Sequence, residues 1–290
     1  MAKSAKSARS ERVLAVARGI LRALGICALG TCALGAGAQS FSQQHAKIAL
    51  LGEDGALKPG QTAWIGLFFD LDKGWHIYWV NPGDSGEAPR IQWELPKGFR
   101  AGDIRWPAPI RLATGNVIDY GYQGRVLLPM PLQVPADYKP GATATLAANI
   151  GYLICREVCI PAKAKATLSI PPAKGATPDA AATRQLFQDA RAHWPKPLPA
   201  GSKAQAADDG KNFVLTLETT SPEMTASFFP LEEDQVDNAA PQGVKPAGNK
   251  VQITLKKSDQ LRKPLPVLKG VVVFSPDRAY EVAAPVAARH

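Results

Sequence analysis

Residues that could carry out chemistry are scarce in this chain. Among its 290 residues only four are cysteine, four are histidine and three are methionine. His45, His76 and His193 do not lie at a recognised metal-ligand spacing from the cysteines. We therefore expect no metal site and no cofactor.

Long apolar runs and basic clusters are also absent beyond the N-terminal segment. No later segment has eighteen consecutive uncharged apolar residues, the length that predicts a transmembrane helix. No block of lysine and arginine alternates with aromatic residues, which argues against a nucleic-acid partner. The formal net charge is +9, but without the N-terminal segment the chain has 28 basic and 24 acidic residues, a net charge of +4.

The N-terminal segment has the layout of a secretory signal peptide. Six basic residues come first, and a small, apolar stretch follows at residues 23–36. This stretch is too short to span a bilayer comfortably. Residues 36–38 supply the small side chains that signal peptidase needs, so we predict cleavage after Ala38 and export. The alternative is a lipoprotein signal anchored at Cys32, although Thr31 is larger than the residue usual before such a cysteine.

Short runs rich in β-branched and aromatic residues recur between Gly/Pro turns from residue 41 to about residue 171. This pattern is typical of an all-β sandwich or barrel. The strands predicted in this part are 62–69, 75–79, 91–94, 126–132, 144–150 and 166–170.

The composition shifts to alanine, threonine and glutamine after Pro171. Near-helical spacing of apolar residues predicts one short helix over residues 179–193. Five further strands are predicted at 213–218, 225–229, 251–255, 270–274 and 280–284. We therefore predict four segments: a signal peptide at 1–38, a thiol-containing β domain at 39–172, a linker with a short helix at 173–200, and a second, smaller β-rich domain without cysteines at 201–290.

Removal of the signal segment would leave Cys155 and Cys159 as the only cysteines. On a straight strand their Cα atoms would be about 13 Å apart, whereas a disulfide requires about 4.4–6.8 Å. The backbone must therefore turn between them if they are bonded. The flanking β pattern and Pro161 favour a hairpin with residues 156–158 at its tip. A single helical turn is the second alternative, since it brings residues four apart to about 6 Å.

Three roles for this pair stay open on the residues alone: redox exchange, an inert structural bridge and metal ligation. A bridge that closes so small a loop stabilises a fold by only about 2 kcal/mol, and a unit of about 130 residues can bury a good core without it. A disulfide beside a surface turn is well placed to meet the thiolate of another protein. Redox exchange is therefore favoured over the inert bridge common in exported proteins.

The Gly-Asp-Ser-Gly sequence at residues 83–86 is similar to the nucleophile loop of chymotrypsin-like proteases, and His76 lies just upstream. A catalytic triad needs a base and an orienting acid that converge in space. After Asn81 and Pro82 the same four residues are typical of a tight turn. Hydrolysis is therefore disfavoured.

Two stretches resemble a known family. Residues 152–161 (Tyr-Leu-Ile-Cys-Arg-Glu-Val-Cys-Ile-Pro) and residues 75–86 (Trp-His-Ile-Tyr-Trp-Val-Asn-Pro-Gly-Asp-Ser-Gly) closely resemble the N-terminal periplasmic domain of the DsbD/ScsB thiol:disulfide interchange proteins. The resemblance implies a periplasmic domain with an immunoglobulin-like β-sandwich fold. It also implies a protein-disulfide reductase activity, in which Cys155 and Cys159 receive electrons from a thioredoxin-like domain and pass them to oxidised proteins.

The resemblance further implies a cap loop, in which an aromatic side chain after an acidic residue shields the disulfide. Asp119, Tyr120 and Tyr122 lie at the corresponding place, with Tyr120 the first choice for the shield and Tyr122 the second. The alternative is that either tyrosine only packs at the edge of the sandwich. The other residues predicted to line the site are His76, Tyr78 and Tyr152.

The best-known family members continue into a membrane electron conduit and a thioredoxin domain, whereas this chain ends at His290. The expected partners are therefore a separate thioredoxin-like reductant or membrane conduit, and oxidised periplasmic client proteins. Copper handling and cytochrome c biogenesis both stay open as the process served. Cys155 is slightly favoured for the lower thiol pKa because cationic Arg156 follows it, but Glu157 offsets this effect, so which cysteine attacks stays open. The rival function is a protein-binding scaffold with a structural disulfide.

Overall fold

The computed structural model describes residues 38–39, 41–141, 143–171 and 179–288. The predicted signal segment up to residue 37 lies outside the described residues. Among those residues, no helix is both long enough and apolar enough to cross a membrane.

The described part of the chain consists mainly of strands, with one helix between two strand-rich regions. We call residues 38–170 the first β half and residues 196–288 the second β half. The strands of the first β half are β1 (Ala38–Gln39), β2 (Phe41–Gln43), β3 (Ala46–Gly52), β4 (Thr62–Leu71), β5 (His76–Gly83), β6 (Arg90–Glu94), β7 (Arg100–Ala101), β8 (Ile110–Thr114), β9 (Val117–Gln123), β10 (Arg125–Gln133), β11 (Ala144–Cys155) and β12 (Cys159–Ile170). The later elements are α1 (Asp179–Ala192), β13 (Lys196–Pro197), β14 (Lys203–Asp208), β15 (Asn212–Glu218), β16 (Ser227–Pro230), β17 (Gly243–Ala247), β18 (Lys250–Lys256), β19 (Val267–Ser275) and β20 (Arg278–Ala288).

Within the described residues, the first β half forms two sheets that pack face to face. One sheet has the order β1-β12-β11-β5-β9-β8, with β6 also paired to β11, and the other has the order β2-β3-β4-β10-β7. Alternate residues of each strand point into the space between the sheets. Phe69, Leu128, Leu146 and Ile150 are almost fully buried there. The predicted all-β, immunoglobulin-like sandwich is confirmed.

The second β half forms one further sheet in the described residues, with the order β16-β19-β20-β14-β15-β18-β17 and with β13 paired to β20. Its own core contains Phe213, Leu215, Ile253 and Val272. All five strands predicted in this region are present. Strand β14 was not predicted, and it pairs in parallel with β20, which lies far along the chain.

Side chains from the two halves also pack against each other. Phe229 and Val271 of the second half belong to the core cluster of the first half. The ring of Phe229 lies edge-on to Trp79 at 6.3 Å and to Tyr120 at 5.1 Å. The two halves therefore share an apolar contact. The predicted division into separate domains stays a prediction.

Helix α1 closely matches the predicted helix over residues 179–193. Its Phe187 is fully buried and packs with Leu127 of the first half. Arg191 forms an ion pair with Glu53 and lies over the ring of Trp64, 5.4 Å from its centroid. These contacts fix the helix on the outer side of the five-stranded sheet, through side chains of β3, β4 and β10.

Candidate functional site

Cys155 and Cys159 are joined by a disulfide at the tip of the β11–β12 hairpin. Cys155 is the last residue of β11 and Cys159 the first of β12, directly opposite each other, with their Cα atoms 4.1 Å apart. The Arg156 backbone N–H donates to the Val158 carbonyl at 3.1 Å and closes the turn. The predicted hairpin is confirmed, and the alternative of a helical turn is wrong.

The two sulfur-bearing residues differ sharply in exposure. Cys155 is only 2% exposed because β11 lies in the middle of its sheet, beside β5. Cys159 is exposed, as is Val158 at 64%. The reason is that β1 pairs with β12 only at Thr167 and Leu168, so within the described residues no strand flanks the Cys159 end.

Tyr78 contacts both sulfurs. Its hydroxyl donates to Cys155 Sγ at 2.8 Å and lies 3.3 Å from Cys159 Sγ. Strand β5 meets β11 at the His76–Cys155 pair. Residues 76, 78 and 155 therefore face the same side of the sheet. Burial raises the pKa of Tyr78 above its ordinary value, so the hydroxyl keeps its proton at neutral pH.

Residues 83–86, which we call the cover loop, bury the ring of Tyr78. Gly86 has a φ of +88°, and a Cβ added there would lie 2.1 Å from Tyr78 Cζ. Only glycine can approach the ring this closely without displacing it. Tyr78 is consequently 0% exposed although it lies on the outer face of its sheet. The tight turn predicted at residues 83–86 is thus a lid over the tyrosine that contacts the disulfide.

A buried polar cluster of Asp119 and His76 holds the cover loop through Ser85. The Asp119 carboxylate accepts hydrogen bonds from the Ser85 backbone N–H at 3.0 Å and from Ser85 Oγ at 2.9 Å. His76 Nε2 lies 3.8 Å from Asp119 Oδ2, and its ring lies edge-on to Tyr78 at 5.3 Å. Because the Ser85 hydroxyl donates to a carboxylate instead of a histidine, the cluster lacks the serine–base bond on which a hydrolytic triad depends.

A comparison with protein-family models identifies this region. Residues 49–171 match the family described as thiol:disulfide interchange protein DsbD, N-terminal. This part of the chain is similar to a DsbD N-terminal domain. The matched range contains the disulfide, Tyr78, the cover loop and Asp119.

Solved structures extend the likeness of fold beyond the DsbD domain. The N-terminal periplasmic domain of ScsB from Proteus mirabilis has 19% sequence identity, covers 86% of this chain and 98% of its own, and superposes with a TM-score of 0.65. At this identity the likeness shows the fold alone. The periplasmic chaperone SfaE has 10% identity, covers 83% of this chain and 100% of its own, and has a TM-score of 0.21, which is too low to support an argument. A comparison with curated proteins gave no match.

The structure places the three residues predicted for a cap loop, Asp119, Tyr120 and Tyr122, in strand β9. Alternation along the strand puts Asp119 on the side of the disulfide and both tyrosines on the core side. The Tyr120 hydroxyl donates to Asn238 Oδ1 at 2.8 Å, and the Tyr122 hydroxyl to the Pro107 carbonyl at 2.7 Å. Both tyrosines therefore pack the sandwich, and burial raises the pKa of each.

Tyr152 also lies away from the disulfide, contrary to its predicted place at the site. It is three residues before Cys155 on β11, so its side chain enters the core. There its ring lies edge-on to Phe69 at 5.4 Å, and burial raises its pKa to about 12. His76 and Tyr78 are the two predicted lining residues that the structure brings to the disulfide.

The hairpin tip is fixed by aromatic contacts that sequence reasoning missed. The Arg156 guanidinium lies over the ring of Trp75 at 5.4 Å, and the ring of His45 is stacked on the same indole at 3.9 Å. A guanidinium over an indole is attracted by the ring's quadrupole. Arg156 therefore anchors the turn. No group of three or more His, Cys, Asp or Glu side chains suited to a metal ion occurs in the described part of the chain.

Proposed function

We propose that this protein is a periplasmic thiol:disulfide interchange module. In this proposal the Cys155–Cys159 pair takes electrons from a thioredoxin-like reductant or a membrane electron conduit and passes them to oxidised client proteins. One observation supports it most strongly: an exposed sulfur-bearing residue is bonded to a buried one whose sulfur accepts a hydrogen bond from Tyr78. The match to the DsbD N-terminal family supports the same chemistry.

Reduction of the pair begins at Cys159. A thiolate of the reductant attacks Cys159 Sγ, because exchange requires direct access to the attacked sulfur. A mixed disulfide forms, and Cys155 leaves as a thiolate that accepts the Tyr78 hydrogen bond. The second thiol of the reductant then attacks the reductant sulfur of the mixed disulfide, and Cys159 is released. Two electrons and two protons have passed to the cysteine pair, and the reductant is left as a disulfide.

Transfer to the client runs the same steps in the opposite direction. The Cys159 thiolate attacks a client disulfide and forms a mixed disulfide, while the other client sulfur leaves as a thiol. Cys155 then attacks Cys159 Sγ, which restores the intramolecular bond and releases the second client thiol. Cys159 is therefore the residue that meets both partners, and the exposed Val158 beside it offers an apolar contact.

Single-cysteine variants test this assignment. With oxidised glutathione as the probe, Cys155→Ser leaves Cys159 free and should be glutathionylated at least about tenfold faster than Cys159→Ser, because access to the sulfur limits exchange. Intact-mass spectrometry of the mature protein follows the modification. Equal rates in the two variants would contradict the assignment of Cys159 as the attacking residue.

The rival function, a binding scaffold with a structural bridge, makes a different prediction for the wild-type protein. A bridge that stays oxidised below about −300 mV against a glutathione or dithiothreitol series behaves as structural. The interchange module should instead be reduced reversibly at a higher potential. That measurement decides between the two functions.

Replacement of Tyr78 by phenylalanine should slow exchange about tenfold or more, since a hydrogen bond to a charged group is worth more than one to a neutral group. The lost hydroxyl would have stabilised Cys155 as the leaving thiolate. The measurement is the rate of reduction by dithiothreitol, with Tyr152→Phe as the matched control because it removes a buried hydroxyl from the core face of β11. Wild-type rates in Tyr78→Phe would show that the hydroxyl has no part in exchange.

A further inference from the structure

The second β half has no cysteine, yet it bonds directly to the segment that covers Tyr78. Asn81 is 1% exposed, and its Nδ2 donates to the Pro230 carbonyl at 2.9 Å. Asn238 Nδ2 donates to Asp84 Oδ1 at 2.9 Å. The second half therefore contacts both the end of β5, at Asn81, and the cover loop itself, at Asp84.

Asn238 is itself held rigidly against the first half. Its Oδ1 accepts from the Tyr120 hydroxyl at 2.8 Å, and its backbone carbonyl accepts from Arg111 Nη2 at 2.6 Å. With its side-chain oxygen occupied by Tyr120, the amide nitrogen points at Asp84. This arrangement fixes which end of the side-chain amide faces the cover loop.

Asp84 transmits this contact to the loop backbone. Its Oδ2 accepts from the Ile118 backbone N–H at 2.8 Å, and its own N–H donates to the Ile118 carbonyl at 3.0 Å. The next two residues are Ser85, which donates to Asp119, and Gly86, which lies against the ring of Tyr78. A shift of the Asp84 backbone would therefore move Gly86, two residues later, relative to the Tyr78 ring.

We propose that Asn238 is a positioning residue of the second β half, which holds the cover loop closed over Tyr78. The Tyr78 hydroxyl lies 3.3 Å from Cys159 Sγ, so the closed loop keeps this ring against the sulfur and limits the access of thiols to it, although the rest of Cys159 is exposed. This inference rests on the proposed function, since shielding matters for a bond that is exchanged. It gives the half without cysteines a role: it sets how readily the lid opens. Removal of the Asn238–Asp84 bond should loosen residues 81–86 and leave the two sheet cores intact.

Asn238→Asp is the sharpest test. The new side chain keeps an oxygen that can accept the hydrogen bond from the Tyr120 hydroxyl. It replaces the amide donor to Asp84 with a carboxylate oxygen, so the two carboxylates repel each other. In the oxidised protein, amide hydrogen exchange of residues 81–86 should become about tenfold faster, as expected for loss of a charge-assisted hydrogen bond. Exchange in β19 and β20 should stay unchanged, which shows that the second half remains folded.

Reduction by dithiothreitol is the second readout. Each dithiothreitol molecule gives two electrons and two protons to the cysteine pair and becomes a cyclic disulfide. Asn238→Asp should be reduced about tenfold faster than wild type if the loop limits access. Asn249→Ala, at an exposed position of the same half, is the control and should match wild type. The double variant Asp84→Asn with Asn238→Asp exchanges donor and acceptor and should restore both readouts.

The outcomes separate this inference from the proposed function. Unchanged hydrogen exchange of residues 81–86 in Asn238→Asp would overturn the positioning role. The same holds if the double variant stays as loose as Asn238→Asp. If the loop loosens while the disulfide of every variant resists dithiothreitol, the positioning role stands and the proposed interchange function fails.

Discussion

Replacement of Gly121 by alanine should destabilise the protein by more than about 3 kcal/mol, the upper end usual for overpacking. Gly121 pairs with Tyr78 between β9 and β5. A Cβ added there would lie 2.0 Å from the Ile77 carbonyl oxygen and 3.2 Å from Tyr78 Cα. Because these atoms belong to the backbone, the side chain cannot be accommodated by a rotamer change, and the two strands must separate. Urea denaturation, followed by tryptophan fluorescence, measures the loss.

Gly151→Ala is the matched control for this prediction. Gly151 also lies in a strand of the same sheet, but an added Cβ has no atom within 4 Å. Alanine there should leave stability unchanged or raise it by about 0.5–1 kcal/mol, because glycine loses more backbone entropy on folding. A Gly121→Ala protein as stable as Gly151→Ala would contradict the close approach of β5 and β9.

Replacement of Gly86 by alanine should open the site without unfolding the sandwich. The left-handed backbone, with φ +88°, costs a residue with a Cβ about 1–2 kcal/mol. The added methyl group would also collide with the Tyr78 ring, so the cover loop must move away from it. We expect the disulfide to react with dithiothreitol at least about tenfold faster, because access to the sulfurs controls exchange.

Gly115→Ala separates the two effects in Gly86→Ala. Gly115 also has a positive φ, +62°, but an added Cβ there meets no atom within 4 Å. It should lose a similar amount of stability from backbone strain and keep the wild-type rate of reduction. If both variants react with dithiothreitol at the wild-type rate, the cover loop does not shield the disulfide.

Local patterns predicted much of this fold. Alternation of apolar residues marked the central strands, and the short separation of Cys155 and Cys159 demanded a turn between them, which is the β11–β12 hairpin. Helix α1 was equally readable from its apolar spacing. These elements depend on residues close in the chain, so they can be predicted without knowledge of the rest of the molecule. The resemblance to the DsbD/ScsB family depended on two such local stretches.

The residues expected to form a cap loop show what the family resemblance could not predict. The resemblance placed Asp119, Tyr120 and Tyr122 in a loop, whereas in the structure they lie in β9, which pairs with β5. Pairing then fixed which face each side chain occupies. Asp119 came to the disulfide side, and Tyr120 and Tyr122 went to the core. The aromatic side chain that contacts both sulfurs is Tyr78, which the sequence placed at the site without a specific role.

By itself the sequence determined the all-β class, the hairpin that brings the two sulfurs together and the resemblance of residues 49–171 to the DsbD N-terminal family. Tertiary structure decided which atoms contact those sulfurs and what covers them. The Tyr78 hydroxyl bonds a sulfur 77 residues away, and Asn238 bonds an aspartate 154 residues away. Strand alternation and turn chemistry act over a few residues. These two long-range hydrogen bonds depend instead on which strands and sheets come together when the whole chain folds.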